Sequence, residues 1–133
     1  MVGEAVDGEL ADSLDKAVQA GATALVIVNS GKQTENMQQW LDAPSLGIDD
    51  VKSKDYGLLQ SLKLDHPILS VFRDSRYSDF TNLHFWNYRE LQSLPEKGIE
   101  VLARFDTGPP AWLLASKDKG RFMVMTSGWK PAD

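Results

Sequence analysis

Four short stretches of the chain hold the side chains whose types and spacing suggest chemistry. Ser30 stands in Val28-Asn29-Ser30-Gly31, directly after an apolar run, where sheet-and-helix hydrolases place a nucleophile. Such an elbow needs glycine two residues before and two after the serine. Val28 and Lys32 stand there instead, so a serine bonded within its own turn is the favoured reading. His66 sits in Asp65-His66-Pro67, where a carboxylate beside an imidazole can fix its tautomer for proton transfer or metal binding. A metal would need two further ligands, and the other histidine, His84, lies in an aromatic run with no acid at i+2 or i+4. The plainer expectation is that His66-Pro67 opens a helical turn, with proline at its first position and the imidazole bonded locally.

Arg73, Asp74, Arg76 and Asp79 are interleaved with Phe72, Tyr77 and Phe80. Paired guanidinium groups can clamp an anionic ligand, but with two aspartates in the same stretch the favoured reading is mutual pairing. Of the four tryptophans, Trp86, Trp112 and Trp129 fall on or near strand-like runs, where an open ring can stack on a sugar or anchor a protein. Packing inside the molecule is favoured for Trp40, Trp86 and Trp112, whereas Trp129 is expected at a surface that other sequence covers. The candidate binding residues are therefore Ser30, Asp65, His66, Arg73, Arg76 and Trp129, with no catalytic residue assigned. No metal and no cofactor is expected: Asp49, Asp50 and Asp55 alternate with Lys52 and Lys54 as a solvated stretch, and the prolines of Gly108-Pro109-Pro110 remove the amides a phosphate cradle must offer.

The elements that position these residues follow from periodicity. Leu10, Leu14, Ala17 and Val18 make one helical stripe, with Asp7 placed to cap it and Gly21 to end it. Residues 23–28 are apolar throughout and rich in β-branched side chains, the pattern of a central strand covered on both faces. Thr34 is placed to cap a second helix whose Met37, Trp40 and Leu41 share a face before Pro44. Short helical turns are expected at 56–62 and 68–72. A strand is expected from Leu83, and three more at 99–105, 111–116 and 121–126, joined by hairpin-length loops.

Composition bounds the function. The 133 residues are 42% hydrophobic and 25% charged, as in one globular domain, and no apolar run approaches membrane-spanning length. Cysteine is absent, which removes disulfides, thiolate metal sites and cysteine nucleophiles. With 14 basic against 19 acidic residues, the net charge of −5 argues against a dedicated nucleic-acid binder.

A resemblance rests on Asp65-His66-Pro67-Ile68-Leu69-Ser70-Val71-Phe72-Arg73-Asp74, on Asp79-Phe80 and Phe85-Trp86, on Val101 to Asp106, on Gly120-Arg121-Phe122 and above all on Ser127-Gly128-Trp129-Lys130-Pro131-Ala132-Asp133. In these the chain resembles the glutamine-amidotransferase-like domain found late in bacterial membrane proteins that begin with an aerotolerance-type (BatA-like) segment. The resemblance implies an α/β fold, a flavodoxin-like (class I glutamine amidotransferase-like) three-layer sandwich with a mainly parallel sheet and a C-terminal antiparallel β-meander. It further implies that residues 1–133 are a single domain excised from a longer membrane-anchored protein. Catalytic members of that superfamily use a cysteine on an elbow with a downstream histidine and acid. None of these stands in this sequence, so no catalytic role is carried over.

The resulting expectation is a non-catalytic interaction or ligand-sensing domain, a soluble part of a bacterial inner-membrane-anchored protein. Its partner would be another protein or a neighbouring domain of the same chain, with no nucleic acid and no membrane insertion by this piece. The alternative is a hydrolase or carbohydrate-processing enzyme that uses Ser30, or Asp65 with His66, in place of the missing cysteine.

Overall fold

The computed structural model describes residues 1–128, so Trp129 and the rest of the Trp129-Lys130-Pro131 string lie outside the described residues. Asp7 accepts from the Leu10 amide at 2.9 Å and caps helix α1, Gly8–Gln19, which turns Ala11 and Val18 into the core. Gly21, at φ +119°, makes the left-handed bend into strand β1, Thr23–Ile27. One turn of 3-10 helix, Gly31–Gln33, leads into helix α2, Thr34–Trp40. Thr34 does not cap α2 as expected; its hydroxyl donates to the Gly31 carbonyl instead.

The later chain is mostly strand: β2, Gly47–Gly57; β3, Leu59–Gln60; β4, Phe85–Gln92; β5, Ile99–Phe105; β6, Pro110–Lys117; and β7, Gly120–Met125. The helical turn expected at 56–62 is thus absent, replaced by the end of β2 and by β3. The short helical turn expected at 68–72 is present, as a second 3-10 helix, Pro67–Arg73.

Sheet topology corrects the expected fold class. The five-stranded sheet has the order β1-β7-β6-β5-β3, and within it only β1 and β7 run parallel. The pairs β3–β5, β5–β6 and β6–β7 are antiparallel, as is the separate ribbon of β2 and β4. This is an α+β arrangement with a mixed sheet, not a flavodoxin-like three-layer sandwich on a mainly parallel one. The loops between β5, β6 and β7 are too short for the crossover that parallel neighbours require, which forces the antiparallel pairing.

Strand β1 is also not central. It is the outermost of the five, with its outer edge met by Val2, whose amide donates to the Leu25 carbonyl and whose carbonyl accepts from the Ile27 amide, both at 2.8 Å. An apolar run reports that both faces of a strand are covered and is silent on how many neighbours it has in the sheet plane.

Period-two alternation divides the sheet's two faces. Val26, Leu113, Ala115, Phe122 and Val124 face α1 and α2, where Trp40 stacks on Phe122 at 5.5 Å and donates from its indole to the Ala11 carbonyl. Leu102 and Leu114 face the other way and pack on Leu69 of the second 3-10 helix. Lys117, at the end of β6, ties the helical layer to the sheet. Its ammonium lies 2.8 Å from Asp15 and 3.2 Å from Asp42 and donates to the Gln39 carbonyl. Burial alone would lower its pKa, but the hydrogen bonds to the two carboxylates outweigh burial and hold it above that of an ordinary lysine.

Among the described glycines, Gly120 has the least room for a side chain. A β-carbon there would stand 2.0 Å from the Val18 carbonyl oxygen and 2.3 Å from that of Ala22, both backbone atoms. Gly120→Ala is therefore expected to destabilise the fold by about 3 kcal/mol, read as a lower urea midpoint with an unchanged slope.

Candidate functional site

The turn after β1 is built around Gln33, which is completely buried. Its carbonyl oxygen accepts from the Asn29 amide at 2.7 Å and the Ser30 amide at 3.2 Å, while its amide nitrogen donates to the Ile27 carbonyl at 2.9 Å. One side chain thus satisfies three backbone groups where strand gives way to helix. Ser30 lies in extended backbone, at φ −161° and ψ 162°, and opens the 3-10 helix rather than a strained elbow. Beside Asn29, a hollow of about 310 Å³ is lined by Asp50, Lys52 and Arg89, with Arg89 3.3 Å from Asp50.

His66 precedes Pro67 at the start of the second 3-10 helix, and its Nδ1 accepts from the Ile68 amide at 3.2 Å. Its Nε2 is 3.8 Å from Glu100, whose other oxygen is bonded to Lys63 at 2.7 Å. That hydrogen bond from Lys63 lowers the Glu100 pKa and raises that of Lys63. Asp65 is exposed. No hydrogen bond joins Ser30 to His66 among the described residues; each has its own partners in a separate element.

The arginines of the 72–80 stretch are engaged locally. Arg73 donates to the Leu64 carbonyl at 2.8 Å, and Arg76 forks onto Asp74 at 2.6 Å. The Arg76 side chain and then its backbone amide hold the Asp74 carboxyl below the usual range, and the hydroxyl and amide of Thr81 do the same for Asp79. No group of three or more potential metal ligands comes together among the described residues.

What the structure does assemble is an apolar groove of about 680 Å³ on the sheet face away from α1 and α2. Its floor is Leu25 of β1, Trp112 of β6, and Met123 and Met125 of β7, the residues that alternation turns away from the helical layer. One wall is Ile68, Leu69 and Phe72 of the 3-10 helix, and another runs through Asn82, Leu83, His84 and Phe85. Two short segments cannot cover a face that two α-helices cover on the other side, so the groove stays open. At its rim His84 stacks on Tyr56 with ring centroids 3.8 Å apart, and Tyr56 meets Trp86 edge-on at 5.5 Å. Trp86 is 47% exposed there, against the expectation that it packs between sheet and helices.

Of the groove's residues, the sequence reading named Trp112, the flanking 65–80 stretch, His84, Phe85, Ser127 and Gly128, but assigned none of them to an apolar surface. The signal for the rest was present in β7. There Phe122 and Val124 alternate with Met123 and Met125, an apolar pattern on both faces that requires cover on each.

Among the described residues the molecule is thus an α+β module with an apolar groove, and the comparisons with known proteins bear on its fold. No family model matches the sequence, and no curated protein matches it. Among solved structures, the chain is similar to a cytoplasmic protein from Salmonella typhimurium, at TM-score 0.71 and 15% identity over 95% of this chain and 52% of that one. It is also similar to part of an exo-beta-1,4-mannosidase from Opitutaceae bacterium strain TAV5, at TM-score 0.57 and 10% identity over 93% of this chain and 19% of that one. A third likeness is to a beta-galactosidase from Bacillus circulans, at TM-score 0.56 and 14% identity over 92% of this chain and 18% of that one. The chain spans about half the length of the Salmonella protein and under a fifth of each glycosidase. At these identities the likeness is one of fold alone. None of the three is described as an amidotransferase. No helix among the described residues is long and apolar enough to cross a membrane.

Gln33→Leu keeps the side-chain volume and removes the partner of two part-buried amides, Asn29 and Ser30, and of the buried Ile27 carbonyl. It is expected to cost about 3 kcal/mol in denaturant unfolding, whereas Ser30→Ala at the same turn costs under about 1 kcal/mol.

Proposed function

We propose that this chain is a non-catalytic binding module whose contact surface is the apolar groove between the sheet and the second 3-10 helix. The observation that carries the reading is the groove itself, about 680 Å³ with Trp112, Phe72, Met123 and Met125 exposed to it. That volume falls within the usual range of small-molecule and peptide-anchor sites. Unbranched methionines on its floor adapt to the shape of an apolar guest. By contrast, Ser30 and His66 serve separate turns, with no hydrogen bond between them among the described residues, which gives the Ser30 form of the hydrolase alternative no support.

The module's place is in a larger bacterial protein that is anchored in the inner membrane. The support for this is the sequence resemblance, centred on residues 127–133. Fractionation of the natural gene product tests it, and recovery of the whole protein in the soluble fraction would remove the anchor from the proposal.

The groove is tested with 8-anilinonaphthalene-1-sulfonate as an apolar probe, followed by NMR. Saturable shifts at the Met123 and Met125 methyls and the Trp112 indole are expected. In Met123→Lys, which sets a charge on the groove floor, affinity should fall about tenfold or more while the remaining spectrum stays folded. Shifts scattered over the surface, or unchanged affinity in Met123→Lys, would count against the reading.

A further inference from the structure

His66 is positioned to make the groove's wall responsive to protons. The 3-10 helix Pro67–Arg73 begins with proline, which has no amide proton, and the Leu69 amide donates to the His66 carbonyl at 2.9 Å. That leaves the Ile68 amide as the donor to be capped, and its partner is Nδ1 of His66 at 3.2 Å. Only a neutral imidazole can accept there. Once both ring nitrogens carry protons, two donors face each other and the cap is lost.

We infer that His66 is a proton-operated latch on the start of the second 3-10 helix: neutral, it caps the Ile68 amide, and protonated, it gives up that cap and loosens the end of the groove wall that begins at Ile68. The wall consists of Ile68, Leu69 and Phe72, which follow the imidazole directly in the chain, so loss of the cap acts on the groove without an intermediary.

The charged groups around the ring define what competes with release. From β5, Glu100 faces Nε2 at 3.8 Å and attracts the protonated ring, but Glu100 is already bonded to Lys63 and is 41% exposed, so its pull is shared and screened. Asp65 is adjacent in the chain and exposed, and Arg73 at the far end of the helix donates to the Leu64 carbonyl.

The effect on binding rests on the groove reading above, whereas the conformational readout does not. Amide exchange of the full chain, corrected for the intrinsic effect of pH on exchange, would be followed from about pH 8 to about pH 5. The Ile68 amide is expected to lose protection about tenfold on acidification, with the Met123 and Met125 methyls shifting at the same midpoint. His66→Asn keeps an uncharged cap acceptor and should abolish that response while retaining protection at both ends of the range. Glu100→Gln, at an exposed position, should leave a response in place. A flat wild-type profile, an unchanged profile in His66→Asn, or loss of the response in Glu100→Gln would each overturn the latch. Should the latch respond as stated while the naphthalene probe fails to bind, the binding reading falls and the latch stands.

Discussion

The parallel pairing of β1 with β7 is the contact on which the rest of this structure depends. It joins the first strand of the sheet to the last, Thr23 beside Arg121 through Ile27 beside Met125, and so closes the chain on itself. Without it, α1, β1 and α2 would be a separate helical hairpin with one strand, and the antiparallel strands would have nothing over their apolar helix-facing side. The pairing is possible because the β6–β7 turn reaches Gly120 just where the carbonyls of Val18 and Ala22 project from the end of α1. Backbone lies against backbone there, and the Arg121 amide donates to Ala22 at 3.2 Å. A side chain at that position would separate the two halves of the sheet.

Once the sheet is closed in this way, its two faces have different fates. One receives both α-helices and becomes a continuous core in which Trp40, Met37, Phe122 and Val124 are buried. The other is covered by a 3-10 helix and an irregular stretch, and its apolar residues are divided between a small packed cluster at Leu69, Leu102 and Leu114 and the open groove beside it. A 3-10 helix makes poorer hydrogen bonds than an α-helix, and this one is held by the His66 cap, by Arg73 on the Leu64 carbonyl and by the packing of Leu69 on Leu102 and Leu114. The groove is therefore bounded by the sheet on one side and by a short 3-10 helix on the other. Regions that accommodate ligands are commonly drawn from the low-stability end of a fold.

Much of the local structure was legible in the sequence, and the topology was not. Asp7 capping a stripe of Leu10, Leu14 and Val18 is a local pattern, as is proline after His66, and both specify an element without reference to the rest of the chain. The strands at 99–105, 111–116 and 121–126 are likewise set off by their turns. Direction and neighbour relations are non-local. The apolar run of β1 is compatible with a central parallel strand or with an outer strand capped by Val2, and nothing within residues 23–28 distinguishes these. The reading of 56–62 as a helical turn failed for a related reason: Tyr56 finds its partners, His84 and Trp86, across the ribbon, and tertiary pairing overrides a weak local preference.

The candidate site was the least legible part, because polar residues attract notice first and here they serve structure. Arg76 forks onto Asp74 two residues away and Arg73 bonds the Leu64 carbonyl nine residues back, so their conspicuous types reflect the pairing demands of irregular backbone. The groove is made of Leu25, Phe72, Trp112, Met123 and Met125, which are indistinguishable in sequence from core. What separates them from core is the supply of cover. Strands β6 and β7 present apolar side chains on both faces, but α1 and α2 both go to one, since the short turn held by Gln33 brings α2 back on the same side of β1 as α1. An uncovered apolar face is then a consequence of the side of β1 to which the turn built on the buried Gln33 returns the chain.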